Sequence, residues 1–273
     1  MESIILFFTE QLSARGYYAN LQQLIETMYE INDNRKVTIV VHSMGGLVSL
    51  YFLTRVVSQE WKDTYIHGYV TLAGAWSGGN EILAILVSGP TTNGPIERQI
   101  GVEELQNLSR TFPSYYLLIP RAVVWNDTVL VVTPSRNYTA NDYQQLFADA
   151  GYPQGYTQFT EIDMLRPAPN VSTYCFYGLG VDTPMTFVYD DGFPNSRPTV
   201  ILGDGDNSVN KPSSEICLQW ANSGYPFNRT IFQGVDHSAI LTDASILRAI
   251  EDIVTIDGSV NGALPLSPDK VMY

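Results

Sequence analysis

One stretch decides the fold: Val37-Thr38-Ile39-Val40-Val41-His42-Ser43-Met44-Gly45-Gly46. An apolar, β-branched run ends at a small polar residue, and two glycines then lead into an apolar segment over 47–53 that predicts a buried helix. A serine at the turn between a strand and a helix is the layout of a nucleophile elbow. We expect Gly45 to be needed because a Cβ there would crowd the turn. Since Val41 replaces the first glycine of the usual G-x-S-x-G pattern, the motif alone leaves catalysis open.

Helix-like and strand-like segments alternate around this stretch. Residues 17–31 have apolar positions at helical spacing, and residues 66–75 read as the strand that follows the helix at 44–57. Strand-like runs resume at 172–178, 187–189, 199–202 and 229–232, and an amphipathic helix N-capped by Asp243 follows them. This alternation predicts an α/β fold, with a mostly parallel sheet and helices on both of its faces.

Residues 77–170 break the alternation with glycine–proline turns and aromatic clusters. We interpret them as an inserted cap over the carboxyl edge of the sheet, where sites form in α/β folds, although an irregular surface excursion is the alternative. The predicted division is a first core segment over 1–76, the cap over 77–170, a second core segment over 171–256 and a loosely ordered tail over 257–273.

A serine nucleophile needs a general base, and the chain has three histidines. His42 adjoins the elbow serine and is expected to pack locally, and His67 begins a strand and reads as structural. His237 lies in a loop of small residues between the last strand and the last helix, which is where a base is expected. We therefore predict that His237 is the base.

The base in turn needs a carboxylate, and two aspartates follow the strand at 199–202. We favour Asp206, because the spacing G-x-x-D-x-x-V places its carboxylate at the crest of the loop. Asp204 is the alternative, and its other role would be to form the turn. The order Ser43, Asp206, His237 is that of α/β-hydrolases, in which the backbone N–H after the nucleophile, here that of Met44, stabilises the oxyanion.

Composition limits the range of partners and compartments. The chain has 273 residues and a formal net charge of −13, which argues against a nucleic-acid partner. No segment of the sequence is long and apolar enough to span a membrane, and residues 1–8 lack the basic region and cleavage site of a signal peptide. The two cysteines are either buried thiols or one disulfide. Five N-x-[ST] sequons favour a glycosylated protein of the secretory route; they begin at Asn107, Asn126, Asn137, Asn170 and Asn228.

Further motifs combine with the elbow. They include Leu50-Tyr51-Phe52-Leu53, Trp61-Lys62-Asp63, Ser135-Arg136-Asn137-Tyr138-Thr139, Cys175-Phe176-Tyr177-Gly178, Gly203-Asp204-Gly205-Asp206 and Cys217-Leu218-Gln219-Trp220. Together they resemble the lecithin:cholesterol acyltransferase family, over residues from about Tyr17 to Val254. The resemblance implies an α/β-hydrolase fold. It assigns the nucleophile, acid and base to Ser43, Asp206 and His237, one oxyanion donor to Met44, and a disulfide to Cys175 and Cys217.

The resemblance also implies an activity. Members of the family are secreted or lysosomal, need no calcium, other metal or cofactor, and cleave a glycerophospholipid acyl ester through a serine acyl-enzyme. The acyl group passes to water or to a lipid alcohol, so the expected partners are a phospholipid membrane or lipoprotein surface and a lipid alcohol acceptor. A sterol acyltransferase is the alternative. Because family members extend further upstream, the resemblance also implies a member truncated at its N-terminus, with an incomplete α/β-hydrolase fold. A catalytically impaired member of the family is a further alternative. It leaves the oligomeric state open.

Overall fold

The computed structural model describes residues 16–91, 95–162, 167–255 and 270–272. Its contacts divide the chain into two compact units. The core unit comprises the described residues of 16–76, 167–181 and 214–272, and the insert unit comprises those of 77–162 and 182–213. The sequence analysis put residues 182–213 in the second core segment, whereas their contacts group them with the residues of the predicted cap.

The elements are given in chain order. They are α1 (Tyr17–Ile31), β1 (Val37–His42), α2 (Met44–Tyr51), a π-helix (Phe52–Val56), α3 (Gln59–Tyr65), β2 (Ile66–Leu72), α4 (Asn80–Ser88), α5 (Pro95–Ile100), α6 (Val102–Ser109), α7 (Pro113–Leu117), α8 (Ala122–Trp125), β3 (Val131–Val132), β4 (Asn137–Tyr138), α9 (Tyr143–Asp149), α10 (Gln154–Thr160), β5 (Thr173–Leu179), β6 (Val181–Val188), β7 (Thr199–Gly205), α11 (Lys211–Ser214), a 3₁₀-helix (Glu215–Asn222), β8 (Phe227–Gln233), a second 3₁₀-helix (Ala239–Leu241), α12 (Ala244–Thr255) and β9 (Lys270–Met272).

The core unit is built on a five-stranded parallel sheet in the order β1-β2-β5-β8-β9. The inner strands β2 and β5 are buried at nearly every residue, on both faces, as is usual for parallel strands covered by helices. Val70 on β2 and Phe176 on β5 pack in one apolar cluster with Ile246 and Ile253 of α12. The prediction of an α/β fold with a parallel sheet and helices is confirmed, and the carboxyl ends of these strands share the edge at which the elbow lies.

The insert unit has its own four-stranded sheet, in the order β4-β3-β6-β7, and many short helices. β7 is the strand predicted at 199–202, so it belongs to this second sheet rather than to the sheet of the elbow. Arg121 is buried here, and its guanidinium donates to the carbonyl oxygens of Tyr116 and Ile162 and lies 4.0 Å from the ring centre of Phe159. The unit therefore has a packed interior of its own.

Two predictions about the termini fall partly outside the described residues. Residues 1–8, read as a poor signal peptide, and residues 257–269 and 273 of the tail lie outside them. Residues 270–272 of the predicted tail form β9, which pairs with β8. Across the described ranges, no helix combines the length and the apolar character that a membrane-spanning segment needs.

Candidate active site

Ser43 occupies a strained turn between β1 and α2. Its backbone has φ 55° and ψ −128°, a conformation that residues other than glycine rarely adopt. Such a conformation costs about 1–3 kcal/mol and persists only where the surroundings hold it. The Ser43 N–H donates to the carbonyl of Leu72, and α2 begins at the next residue, Met44, which is half-buried. The geometry is that of the predicted nucleophile elbow, with the Met44 N–H at the start of a helix.

A buried hydroxyl pair supports the first turn of α2. Ser49 Oγ lies 2.7 Å from the Gly45 carbonyl oxygen and 2.7 Å from Tyr69 Oη, and Tyr69 Oη lies 3.0 Å from the Gly46 carbonyl oxygen. Burial raises the pKa of Tyr69, so its hydroxyl stays protonated and can donate. The pair links β2 to the helix that follows Ser43.

Three glycines in and beside the elbow differ in the space around them. A Cβ on Gly46 would lie 2.8 Å from a ring carbon of Trp76, and one on Gly74 would lie 2.4 Å from the same ring. A Cβ on Gly45 would meet its nearest atom, Cβ of Val41, at 3.9 Å, which is an ordinary contact. The expectation that Gly45 is required for steric reasons is therefore wrong. Gly46 and Gly74 are the residues that make room for a fully buried tryptophan.

His237 lies in the loop after β8, and its Nε2 is 2.9 Å from Ser43 Oγ. Gly234 opens this loop with φ 72°, and Asp236 Oδ1 accepts hydrogen bonds from the N–H groups of Ala239 and Ser238. These two donors hold the pKa of Asp236 below its usual value. The structure thus brings the predicted nucleophile and the predicted base within hydrogen-bonding distance, across 194 residues of sequence.

The other two histidines occupy different ends of the sheet. His42 Nε2 lies 2.8 Å from the carbonyl oxygen of His237, and the two imidazole rings are 4.6 Å apart between centroids. Sequence reasoning expected His42 to pack locally and missed this contact, because nothing in the pattern around residue 42 refers to a loop 195 residues later. His67 is half-buried near the amino end of β2, away from the elbow, as its structural role predicts.

Asp206 follows β7 in the insert unit and is fully buried. Its Oδ1 accepts from the N–H groups of Ser208 and Val209, at 3.0 and 2.6 Å. Asp204 is exposed, and its Oδ2 lies 3.8 Å from Lys211 Nζ. Asp206 belongs to the insert unit, whereas Ser43 and His237 belong to the core unit, and the catalytic roles of all three residues remain predictions.

The disulfide implied by the family resemblance is confirmed: Cys175 on β5 is bonded to Cys217 in the first 3₁₀-helix. Glycosylation remains a prediction. The candidate asparagines lie on the surface to different degrees: Asn107, Asn126 and Asn137 are exposed, and Asn170 and Asn228 are half-buried. Among the described residues, no group of three or more His, Cys, Asp or Glu side chains is arranged to hold a metal.

The fold is that of an α/β protein in which a serine at a strand-to-helix turn contacts a histidine, and comparison with known sequences gives the family. A sequence model described as Lecithin:cholesterol acyltransferase matches residues 10–164 and 151–244. The chain belongs to the lecithin:cholesterol acyltransferase family, as its motifs predicted.

Named relatives fall into two groups. The chain is 39% identical to phosphatidylcholine-sterol acyltransferase of Gallus gallus over 227 residues, 81% of this chain and 54% of that protein. It is 35% identical to the Homo sapiens protein of the same name, over 92% of this chain and 57% of that protein. It is 34% identical to lysosomal phospholipase A and acyltransferase of Canis lupus familiaris, over 87% of this chain and 58% of that protein. The chain therefore spans a little over half the length of these relatives.

A solved structure shows a similar fold. One chain in the crystal structure of the Tle4–Tli4 complex matches with a TM-score of 0.54 and 16% identity, over 90% of this chain and 66% of that chain. At this identity the likeness extends to the fold alone.

Proposed function

We propose that this protein is a lipid acyl hydrolase and O-acyltransferase that acts on glycerophospholipid acyl esters through an acyl-enzyme on Ser43, without calcium. The observation that carries the proposal is the 2.9 Å contact between His237 Nε2 and Ser43 Oγ, at a serine with φ 55°. A serine hydroxyl is a weak nucleophile until a base takes its proton, and this pair supplies both groups.

Acylation moves one proton and exchanges one bond. Ser43 Oγ attacks the ester carbonyl carbon while its proton passes to His237 Nε2, and the N–H of Met44 donates to the oxyanion that forms. The tetrahedral intermediate collapses, and the proton on Nε2 passes to the oxygen of the departing lysophospholipid. For Nε2 to accept from the serine, His237 must carry its resting proton on Nδ1. We assign Asp206 as the carboxylate that accepts a hydrogen bond from this Nδ1–H group.

Deacylation repeats these steps with a new nucleophile. Water or a lipid alcohol gives its proton to His237 Nε2 as its oxygen attacks the acyl carbonyl, and collapse restores the Ser43 hydroxyl and releases a fatty acid or an ester. A phospholipid membrane or lipoprotein surface is therefore the partner that we propose, and no step uses a metal or a cofactor.

The choice of acceptor divides the two candidate functions. The motifs of this chain resemble those of lysosomal phospholipase A2, and we propose that branch, with water or a lipid alcohol as acceptor. The second candidate is a sterol acyltransferase, because relatives of that name match at 39% and 35% identity. A lysosomal or extracellular location suits the disulfide between Cys175 and Cys217, which an oxidising compartment maintains.

The test begins with covalent labelling of the serine. A serine-directed alkyl fluorophosphonate should label the wild-type chain and the control Ser223→Ala, but not Ser43→Ala. Liposomes of phosphatidylcholine with either ceramide or cholesterol should then yield fatty acid with acylceramide, or cholesteryl ester, and mass spectrometry identifies which. Equal labelling of Ser43→Ala would contradict the assignment of the nucleophile. An unlabelled wild-type chain would instead favour a catalytically impaired family member.

A further inference from the structure

We propose that His42 is a positioning residue for the catalytic base: its imidazole ties the strand that ends at the nucleophile to the loop that carries His237. This inference rests on the proposed roles of Ser43 and His237. It assigns a function to the residue before the nucleophile, which the chemistry itself does not use.

The polarity of the hydrogen bond fixes the tautomer. His42 Nε2 lies 2.8 Å from the main-chain carbonyl oxygen of His237, and a carbonyl oxygen only accepts. Nε2 of His42 therefore carries a proton and donates it. The acceptor belongs to the base itself, so the bond restrains the backbone from which the catalytic imidazole projects.

The sheet explains why such a restraint is needed. β8, which precedes the base, lies three strands away from β1 in the order β1-β2-β5-β8. Three strand spacings amount to roughly 14 Å, so the base loop must return across the ends of the intervening strands to reach Ser43. The N–H of Gly234 donates to Leu179 at the end of β5, which secures the start of that path, and the bond from His42 secures its end at the elbow.

Contact between the rings adds a second restraint. The imidazole centroids of His42 and His237 are 4.6 Å apart, and their planes are inclined by 45°. The flat side chain of His42 thus limits how far the catalytic imidazole can rotate away from Ser43 Oγ. A misplacement of about 1 Å at a reacting group can cost a factor of 10² in rate, so small rotations matter here.

Two substitutions separate the hydrogen bond from the ring contact. His42→Gln keeps an N–H donor and loses the ring, whereas His42→Phe keeps a ring and loses the donor. His67→Phe is the matched control, because His67 is a half-buried histidine of the neighbouring strand at the far end from the elbow. Each variant is compared with the wild-type full chain by its rate of labelling with the alkyl fluorophosphonate at several probe concentrations, and by its melting temperature.

Positioning predicts a specific pattern of rates. His42→Phe should lower the maximal labelling rate by roughly 10- to 100-fold, with the half-saturating probe concentration unchanged. His42→Gln should lose less, roughly three- to fivefold, because it retains the donor and lacks only the ring contact. The control should match wild type. Equal rates for His42→Phe and wild type would overturn the proposal, as would an equal loss in both His42 variants at unchanged melting temperature.

A measurement on the wild-type protein tests the hydrogen bond between His42 and the His237 carbonyl independently of activity. In protein labelled with ¹⁵N-histidine, at alkaline pH, two-bond proton–nitrogen correlations should show His42 with its proton on Nε2. A proton on Nδ1 would overturn the proposal even if the variants fail to fold. Absence of labelling in the wild-type chain would contradict the proposed function, and the tautomer would still report whether His42 donates to the base loop.

Discussion

Replacement of both cysteines of the Cys175–Cys217 disulfide by alanine should lower the free energy of unfolding substantially. The two residues are 42 positions apart in sequence, and the chain-entropy model gives about 4 kcal/mol for a loop of this length. The loop includes residues 182–213, which leave the core unit for the insert unit and carry Asp206. The disulfide therefore removes conformational freedom from an unfolded loop that spans the whole second stretch of the insert unit.

The measurement is denaturation by guanidinium chloride, followed by tryptophan fluorescence. Trp76 and Trp220 are buried with ring centroids 4.7 Å apart, and Trp220 lies three residues after Cys217, so they report on this region. Reduction of the wild-type protein with dithiothreitol removes the cross-link and keeps both sulfur atoms. The difference in unfolding free energy between the reduced protein and the double alanine variant therefore measures the lost packing of the two sulfur atoms.

A change of less than about 1 kcal/mol in the free energy of unfolding on reduction would refute the entropic account, because that account expects a change of about 4 kcal/mol. The entropic account would also be refuted if reduction and the double substitution differed from each other by more than the reduced protein differs from the oxidised protein. Packing would then outweigh the entropy of the loop.

Two further predictions concern the elbow and the base loop. Gly46→Ala should lower stability by about 1–3 kcal/mol, because its Cβ would meet the Trp76 ring, whereas Gly45→Ala should be neutral or slightly stabilising; thermal melts that show equal losses would contradict this. Asp236→Asn keeps an accepting oxygen but loses the charge. The pKa of Asp236 is lower in the folded protein than the ordinary value of about 4. Its negative charge therefore stabilises the fold at pH values above about 4, and this stabilisation is lost as the pH falls through the folded pKa. Wild type should therefore melt higher than Asp236→Asn at pH 7, and the gap should narrow as the pH falls below about 4; a gap that stays constant through the acidic range would refute the linkage.

Sequence patterns predicted the features that local chemistry determines. Apolar runs indicated four strands of the core sheet, β1, β2, β5 and β8, and Asp243 was expected to cap the last helix. Asp243 Oδ1 accepts from the N–H groups of Ser245 and Ile246. The elbow followed from a strand, a small polar residue and a helix. Each of these depends on residues within a few positions of one another, so a single sequence contains the necessary information.

Features that depend on distant packing were not predictable. The clash that requires Gly46 comes from Trp76, thirty residues later, and no local rule connects the two positions. The strand β7 reads like any other apolar strand, but it pairs in the sheet of the insert unit, because the choice of sheet is made by partners and not by the strand itself.

The core sheet gives a physical reason why the nucleophile and the base can be inferred more securely than the acid. Ser43 and His237 follow β1 and β8 of one parallel sheet, whose carboxyl ends must share an edge. A register shift of a single residue would turn side chains to the opposite face and destroy the core, so the buried strands fix where each loop starts. What the sheet cannot fix is the path of the base loop back to the elbow. Hydrogen bonds from Gly234 and His42 supply that path, and they arise from residues that carry no catalytic signature.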